Sequence, residues 1–301
     1  MCGRYGRRGD KQRIAEWMQT HNTSVFDEFD ETNLAPSFNV APQSFQPVVR
    51  ISSESGQREL TIMRWGLVPY WSKDGKASFS TINAKSETVA TSPAFREAWK
   101  TRRCLVPSDW FYEWQKLDEK TKQPYAIAMK DDGMFAFAGL WETWKDRATG
   151  QKLRSYTILT TDPNELMEPI HNRMPVILHR RDYERWLAPT DPAHLPIDLL
   201  RPYPAEEMKV WKVGKAVGNT RNNEPSLIEP LKKDEVASTP ASVRMTSANH
   251  SDGISFTSPM ECLPVSLYAG IPCLKADLSR NFRTPRKVIT EHAFLLDSLQ
   301  H

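Results

Sequence analysis

The chain contains little cysteine, and the cysteines it has do not form a metal-binding pattern. None of the four belongs to a CxxC pair, and no histidine lies near them at metal-ligand spacing; they are Cys2, Cys104, Cys262 and Cys273. A structural zinc site requires such spacing, so we predict neither a bound metal nor another cofactor. Sparse cysteine is also typical of proteins that stay in the reducing cytoplasm.

Long hydrophobic runs and a strong net charge are also missing. No stretch of roughly 18 residues is continuously apolar, and the N-terminal segment has arginines but no apolar core, so we expect no membrane span and no signal peptide. The net charge is only +3 at pH 7. This mild excess permits a nucleic-acid partner without predicting one, so any basic surface must be local.

Tryptophan is absent from the C-terminal part of the chain. All ten tryptophans lie at or before Trp211, and after Lys232 and Lys233 the sequence becomes rich in Ser, Thr and Pro, with weak periodicity. A segment of that composition offers too little apolar surface to form a core. We therefore predict one domain over residues 1–231 and an appended, largely disordered tail over residues 232–301.

Short strand-like runs dominate the predicted domain. Alternating or β-branched stretches predict strands at 46–52, 59–65, within 103–115, 154–161, 174–179 and 208–213. A helix is predicted over 11–20, because Ile14, Trp17 and Met18 share one face and Asp10 is placed as its N-cap. The pattern indicates an α+β fold with a mainly antiparallel, barrel-like β core and peripheral helices.

Local signals predict further elements. Residues 124–130 and 134–142 are expected to pair as a hairpin around the turn at 131–133. One helix is expected from about 84 to 100, and a short one from about 163 to 168.

The second residue has a chemistry that no internal cysteine has. If Met1 is trimmed, as is usual before a small residue, Cys2 carries an α-amine and a thiol on adjacent carbons. Their reference pKa values, about 7.7–8.0 and about 8.5, leave both groups partly nucleophilic near neutral pH. Such an aminothiol condenses with an aldehyde to a thiazolidine, or acts as the N-terminal nucleophile of a hydrolase. The alternative is a terminus that frays and has no function.

Three other residues are suited to proton transfer or to sugar contact. In 110–114, alternation puts Glu113 on the same face as Phe111, and burial of that face would raise the carboxyl pKa, as in a general acid. The alternative is a solvated surface carboxylate. Asn83, at the start of an expected helix, either contacts a phosphate or sugar oxygen or only caps the helix. His171 is either a proton shuttle or an ordinary loop residue.

Aromatic and basic residues occur together in two places. Trp71 is expected to stack on or wedge between nucleic-acid bases, whereas Trp65 fits the core of a strand better. Arg4, Arg7 and Arg8 flank Cys2, where they would lower the pKa of its thiol and attract phosphates. Alternatively, these arginines form a solvated basic terminus.

Eight short motifs, taken in order, resemble the SRAP family, the SOS-response-associated peptidases now viewed as abasic-site processing proteins. They are MCGR at 1–4, NVAP at 39–42, RWGLVPYW at 64–71, INAKSET at 82–88, CLVPSDWFYEW at 104–114, LTTDP at 159–163, HNRMP at 171–175 and VGNTRNN at 217–223. Each motif alone is weak, but their order across most of residues 1–231 is specific. The resemblance implies an SRAP-like fold and a protein that crosslinks itself to abasic sites in single-stranded DNA.

The resemblance also assigns roles to individual residues. Cys2 would supply both nucleophiles, its amine forming a Schiff base with the deoxyribose aldehyde and its thiol closing the thiazolidine. Glu113 matches an acid that helps ring opening, His171 a histidine implicated in proton transfer and crosslink reversal, and Asn83 an asparagine that positions Cys2 and the sugar. The positions that match the DNA groove are Arg4, Pro42, Trp71, Lys85, Thr160 and Arg173.

The family likeness further implies a minor lyase activity through the Schiff base and an autoproteolytic removal of Met1. We expect a monomer that binds abasic single-stranded DNA, without a membrane or a metal, in the cytoplasm and on the nucleoid when bound, or in the nucleus of a eukaryote. Two departures stand out. Lys85 replaces an arginine that is common in the family, and Ser72 stands where some members have a second tryptophan.

Two other functions stay open at this point. One is an N-terminal-nucleophile amidohydrolase of the glutamine amidotransferase type, which also begins Met-Cys-Gly, although its Asn-Gly…Asp pattern is missing here. The other is a non-catalytic module that binds single-stranded DNA or a modified base. The first predicts ammonia release that depends on Cys2, and the second predicts binding without a covalent adduct.

Overall fold

The computed structural model describes residues 2–20, 35–76 and 78–231. This part of the chain contains three α-helices, which are α1 (Lys11–Met18), α2 (Arg96–Thr101) and α3 (Tyr183–Leu187). None of its helices is long and apolar enough to cross a membrane. The predicted tail over residues 232–301 and the predicted trimming of Met1 lie outside the described residues.

Strands make up most of the regular structure. They are β1 (Arg4–Arg7), β2 (Ser37–Val40), β3 (Phe45–Ile51), β4 (Arg58–Trp65), β5 (Asn83–Lys85), β6 (Arg103–Ser108), β7 (Trp110–Lys116), β8 (Lys122–Met129), β9 (Phe135–Lys145), β10 (Lys152–Thr161), β11 (Met174–Pro175), β12 (Ile177–Leu178) and β13 (Met208–Lys212). Short 3-10 turns connect several of them, at Phe79–Thr81, Arg180–Asp182, Pro192–His194, Ile197–Leu199, Ala205–Glu207, Lys215–Gly218 and Pro225–Ile228.

The strands form two sheets. The first is antiparallel throughout, in the order β13-β8-β7-β1-β2. The second has the order β11-β10-β4-β3-β6-β9-β12, with β5 also beside β10, and its β9 returns to pair with β10. Only the pairs β10–β4 and β10–β5 are parallel among the described strands. The fold is therefore α+β and mainly antiparallel, as predicted, and the barrel-like core is a partly closed ring of strands.

One apolar cluster fills the space that these strands enclose near the chain start. Cys2 belongs to it, together with Tyr5, Trp65 and Phe111. Trp110 and Tyr112 pack instead into a different cluster, which confirms the predicted alternation along β7. Because the side chains of a strand point alternately to its two faces, Glu113 lies on the Phe111 side, towards Cys2.

The first helix agrees with its prediction. It begins after Asp10, whose carboxylate accepts a hydrogen bond from the backbone N–H of Arg13 at 3.0 Å. Ile14 and Met18 are buried against the core of the second sheet, as their spacing predicts. The helix ends at Met18, and Gln19 follows in the left-handed conformation.

The predicted hairpin of residues 124–130 and 134–142 is wrong. Both strands exist, but β8 pairs with β7 and β13, whereas β9 pairs with β6, β10 and β12. The turn between them is real, with Asp132 at a φ of 56°. It carries the chain from one sheet to the other, because each strand finds a long partner elsewhere.

One predicted helix is only partly confirmed and another is wrong. The region expected to be helical over 84–100 begins as part of β5, which pairs with β10, and only its end is helical, as α2. Instead of a helix over 163–168 there are turns from residue 165 on, because Asn164 accepts from Met167 N at 3.0 Å and donates to Tyr203 O at 2.7 Å. Strand pairing and side-chain bonds override local helix propensity at these two places.

Candidate functional site

Cys2 is fully buried just before β1, which lies between β2 and β7 in the first sheet. Its Sγ lies 3.9 Å from the backbone oxygen of Arg4, to which the thiol donates. Burial, and then the nearby negative charge of Glu113, raise the pKa of the Cys2 thiol. The thiol is therefore protonated near neutral pH in this environment, whereas a partly ionised thiol was expected.

Glu113 lies on β7 beside the start of the chain. Arg4 is opposite Tyr112 and Tyr5 is opposite Phe111 in antiparallel register, so the chain direction brings Cys2 towards Glu113. The side chain is 3% exposed, and its burial raises the pKa of Glu113 from 4.5 to about 7. At neutral pH the carboxyl is thus present in both acid and base forms, which a proton-transfer residue requires.

The three arginines that flank Cys2 in the sequence engage other partners. Arg4 donates to Asn39 Oδ1 at 2.7 Å and to Val217 O at 2.8 Å. Arg7 is buried and donates to Gln46 and to Gly9, while the Arg8 guanidinium lies 5.3 Å from the centre of the Trp110 indole. The prediction that these arginines lower the pKa of the Cys2 thiol is therefore wrong; the balance of burial and charge raises it.

Asn83 lies in a strand and does not cap a helix. It pairs with Ile158 of β10, and its Nδ2 donates to the backbone oxygen of that residue at 3.3 Å. Its Oδ1 is buried and accepts no hydrogen bond from any described residue. A buried acceptor left in this state is costly, so it favours a ligand that brings a donor. Ile82 and Ile158 belong to the same apolar cluster as Cys2.

His171 lies in the turn before β11. Its Nδ1 lies within hydrogen-bond distance of both the backbone N–H of Arg173, at 3.1 Å, and the backbone oxygen of Arg173, at 3.3 Å. Burial lowers the pKa of His171, which favours the neutral imidazole at pH 7. Met167 and Met174, on either side of it in sequence, belong to the cluster around Cys2. Asn83 and His171 thus flank residues of the apolar cluster that contains Cys2.

Three of the residues predicted to bind DNA meet at one edge of the second sheet. Lys85 of β5 is opposite Thr160 of β10, and Arg173 Nη2 donates to Thr160 O at 2.7 Å. Thr160 is buried, with an Oγ1 that has no partner among the described residues, whereas Lys85 is exposed. The Arg173 guanidinium also pairs with Glu87 and Asp162.

The other three predicted DNA-binding residues belong to other elements. Arg4 points inward to its protein partners, and Pro42 lies in the turn after β2, where Gln43 N donates to Trp65 O at 2.8 Å. Trp71 lies in the long loop after β4 and is 49% exposed, whereas Trp65 is fully buried. Their burial agrees with the expectation for both tryptophans.

Two residues of this region were not singled out from the sequence. Asn39 joins Arg4 to the segment 217–223, because its Nδ2 lies within hydrogen-bond distance of three backbone oxygens there. Glu87 holds the guanidinium of Arg173. Both lie inside motifs that the family resemblance rests on, NVAP and INAKSET, so their places in those motifs were the available signal.

The region can perform acid–base chemistry on a carbonyl carbon. It combines a buried, protonated thiol with a buried carboxyl that has a pKa of about 7, and a neutral imidazole flanks the same apolar cluster. Among the described residues no group of three or more His, Cys, Asp or Glu side chains is arranged to hold a metal ion.

Comparison with known proteins assigns the chain to a family. It is 43% identical over 232 residues to the abasic site processing protein YoqW of Bacillus subtilis, a match that covers 76% of this chain and 99% of that protein. It is 33% identical over 254 residues to the abasic site processing protein HMCES of Xenopus tropicalis, covering 74% of this chain and 72% of that one.

Solved structures agree with this assignment. A crystal structure of a protein from Bacteroides thetaiotaomicron superimposes with a TM-score of 0.69 at 27% sequence identity, covering 77% of this chain and all of that one. The family model described as SOS response associated peptidase (SRAP) matches residues 1–220. The chain belongs to the SRAP family.

Proposed function

We propose that the chain processes abasic sites in single-stranded DNA by forming a covalent thiazolidine link through Cys2. The observation that carries this proposal is the burial of Glu113, which has a pKa of about 7, close to the buried Cys2. The negative charge of Glu113 raises the pKa of the Cys2 thiol. Relatives in a bacterium and a vertebrate are named abasic site processing proteins, which supports the same substrate.

The first step is the opening of the sugar. An abasic deoxyribose is mostly a closed hemiacetal, so a proton must leave the anomeric hydroxyl and another must reach the ring oxygen. Glu113 is suited to both transfers, since a group with a pKa of about 7 is half acid and half base at neutrality. Opening releases the aldehyde next to the two nucleophiles of Cys2.

The second step joins protein and DNA. The α-amine of Cys2, exposed by the removal of Met1, attacks the aldehyde carbon, and loss of water gives an imine. The sulfur then adds to the imine carbon, and the nitrogen takes up a proton in exchange for the thiol proton. Because burial raises the pKa of the thiol, a base must accept that proton, and we assign this role to the Glu113 carboxylate. Holding both nucleophiles at one carbon gives a large proximity advantage.

Two further residues are assigned to the same reaction. Asn83 has a buried Oδ1 that is suited to accept from the Cys2 amine or from a sugar hydroxyl. His171 has a lowered pKa and is therefore a neutral imidazole at pH 7, so we assign it proton transfer at the departing water and in reversal of the link. If a base removes the proton next to the imine before sulfur adds, β-elimination cuts the strand, which would be the minor lyase activity.

We assign the DNA strand to the surface around these residues. Trp71 would stack on a base, Lys85 would contact a phosphate, and Thr160 would use its Oγ1, which has no partner in the described structure. Arg4, Pro42 and Arg173 complete the proposed groove. All of these residues come from one chain, so we propose that a monomer suffices, in the compartment that holds the DNA, cytoplasm or nucleus.

A denaturing gel tests the proposal. The protein, with Met1 removed, is mixed with single-stranded DNA that carries one abasic site. We expect a heat-stable, slowly migrating adduct that disappears with Cys2→Ala and also when an extra residue precedes Cys2. An adduct that survives either change would overturn the proposed linkage, because it would arise at another nucleophile.

Two controls separate the alternative functions. The amidohydrolase predicts ammonia release from glutamine that depends on Cys2, and detecting it without an adduct would favour that function. The binding module predicts DNA affinity that Cys2→Ala leaves unchanged, with no adduct from the unmodified protein. Autoproteolytic removal of Met1 would be seen by mass spectrometry as trimming of the purified, untrimmed protein with time.

A further inference from the structure

Arg173 uses all of its terminal guanidinium N–H groups within the protein. Nη1 donates to Glu87 Oε1 and to Asp162 Oδ1, the latter at 3.1 Å. Nη2 donates to Glu87 Oε2 at 3.0 Å and to Thr160 O at 2.7 Å. The remaining Nε is buried and has no hydrogen-bond partner among the described residues. Neither terminal nitrogen of this guanidinium has an N–H left for a phosphate.

Glu87 occupies the guanidinium in the way a phosphate would. Its two oxygens meet Nη1 and Nη2 in the bidentate geometry by which arginine also binds phosphate. The Glu87 side chain is 48% exposed while that of Arg173 is 14% exposed. The carboxylate can therefore swing into solvent, whereas the guanidinium is held from the other side by Thr160 and stays in place.

We propose that Glu87 is a specificity-determining residue that competes with the DNA backbone for Arg173, so that a phosphate binds there only by displacing the carboxylate. This inference rests on the proposed function, since it concerns the same DNA strand. Undamaged single strands then gain little binding free energy from Arg173. The Arg173–phosphate pair that they form is only slightly more favourable than the Arg173–Glu87 pair that it replaces. The preference for an abasic strand comes from the buried site instead of from the charge of the groove.

The ion pair also changes the pKa of Glu87, its acidic member. The hydrogen bonds from Arg173 lower the pKa of Glu87, so the pair is intact at neutral pH. Asp162 contributes less, since its side chain is 77% exposed and makes one contact with Nη1. Glu87→Gln removes the competing charge but keeps the size of the side chain.

The experiment measures equilibrium binding of undamaged single-stranded DNA, which has no aldehyde to crosslink, by fluorescence anisotropy at several salt concentrations. We expect Glu87→Gln to bind about tenfold more tightly than the unmodified protein and to raise the slope of log affinity against log salt by about 1, as one more phosphate contact does. Glu119→Gln, an exposed carboxylate in the β7–β8 turn, makes the same change of net charge and should leave affinity unchanged.

A double variant tests whether the gain in DNA affinity acts through Arg173. The gain from Glu87→Gln should vanish when Arg173→Gln is also present, because the freed guanidinium is then missing. Unchanged or weaker binding by Glu87→Gln, or a gain that persists without Arg173, would overturn the proposal. An abasic strand run on a denaturing gel with the unmodified protein reports separately on the proposed function: a missing adduct would refute that function and leave the binding result to decide this one.

Discussion

In the proposed reaction, Glu113 is the residue on which proton transfer most depends. Its pKa of about 7 predicts that the crosslinking rate changes with pH around neutrality, since its acid and base forms interconvert there. Glu113→Gln should slow crosslinking by roughly 10²–10⁴-fold, the usual contribution of a general acid–base, and should remove the inflection near pH 7. Rates of adduct formation on denaturing gels between pH 5.5 and 8.5 measure both effects.

The matched control for this measurement is Glu119→Gln, which removes an exposed carboxylate and should keep both the rate and the pH profile. If Glu113→Gln retained the inflection near pH 7, another group would have to carry the proton. His171 would then be the candidate to test, although burial lowers its pKa from the ordinary histidine value.

The burial of Glu113 also makes the free energy of unfolding of the protein decrease as the pH rises. Glu113 has a pKa of about 7 when folded, against an ordinary 4.5, so the folded state disfavours its ionised form. The contribution of Glu113 to stability is fully present below pH 4.5 and is lost as the pH rises through 7. The difference corresponds to about 3 kcal/mol at pH 8.

Glu113→Gln should therefore stabilise the protein more at pH 8 than at pH 5. The two effects should differ by about 2.5 kcal/mol, because part of the loss has already occurred at pH 5. Urea unfolding of both proteins at the two pH values measures this difference. An equal effect at pH 5 and pH 8 would show that the carboxyl does not titrate with a raised pKa.

For single residues, sequence patterns predicted the face of a strand on which a side chain lies better than the pKa of that side chain. Alternation in β7 correctly placed Glu113 with Phe111, because a strand has only two faces. The state of the Cys2 thiol was mispredicted, because nearby arginines in sequence suggested a lowered pKa. The pKa depends on what surrounds the sulfur in space, and the arginine side chains found other acceptors.

Among the elements, β1 and β2 are joined to segment 217–223 by the side chains of Arg4, Asn39 and Asn223. Asn39 is 5% exposed; it accepts from Arg4 and is in range of three backbone oxygens of that segment. Asn39→Ala would remove these hydrogen bonds, at a cost of about 2–4 kcal/mol in urea unfolding. Crosslinking should also slow by roughly 10–100-fold, since Arg4 lies only two residues from Cys2.

Asn222→Ala is the corresponding control within the same segment. Its side chain is only partly buried and donates to Ala216 O at 2.9 Å, so its loss should cost less than about 1 kcal/mol. The role of Asn39 as a positioning residue would be refuted if its variant crosslinked at the unmodified rate while unfolding at lower urea.

The loop after β4 presents an aromatic side chain to solvent. Trp71 is 49% exposed, and the loop around it is fixed where Trp144 Nε1 donates to Ser72 O at 2.8 Å. Trp71→Ala should weaken binding of single-stranded DNA by about 1–3 kcal/mol, or roughly 5–150-fold, through the loss of one stacked base. Anisotropy titration measures it, and Leu117→Ala, another exposed hydrophobic residue, should have no effect.

The elements also show where local sequence signals stop being sufficient. The strands at 46–52, 59–65 and 154–161 were predicted within a few residues, because their apolar patterns match burial on a sheet. The pairing of 124–130 with 134–142 failed, since neighbours in sequence need not be neighbours in a fold of two sheets. Asn83 was wrongly predicted to start a helix, because the three residues of β5 pair with β10, a partner distant in sequence that local patterns do not reveal.

For the whole molecule, each of the two sheets carries some of the proposed site residues. The antiparallel sheet carries Cys2 and Glu113 on neighbouring segments, and the second sheet carries Asn83 through β5 and Thr160 through β10. The cluster around Cys2 draws side chains from both sheets, so the candidate site lies where they face each other. This explains why widely separated motifs were needed to identify the family, since no single segment contains the site.

The last prediction concerns which part of the chain is needed. The family match covers residues 1–220, but the described contacts continue to Leu231, whose N–H donates to Lys212 O at 3.0 Å. Val213 bridges to Pro230, and Leu227 is buried in the cluster of Trp110 and Tyr112. The folded unit should therefore include residues up to Leu231 and not end with the family match.

A chain ending after Leu231 should crosslink within about twofold of the full chain and unfold at the same urea concentration, because it keeps these contacts and every proposed site residue. A chain ending after Gly214 should lose about 3 kcal/mol or more, since it removes the buried Leu227 and the backbone oxygens that Arg4 and Asn39 bind. Urea unfolding and adduct gels on the three proteins measure this. Slower crosslinking by the chain ending after Leu231, at unchanged stability, would assign residues 232–301 a direct part in the reaction.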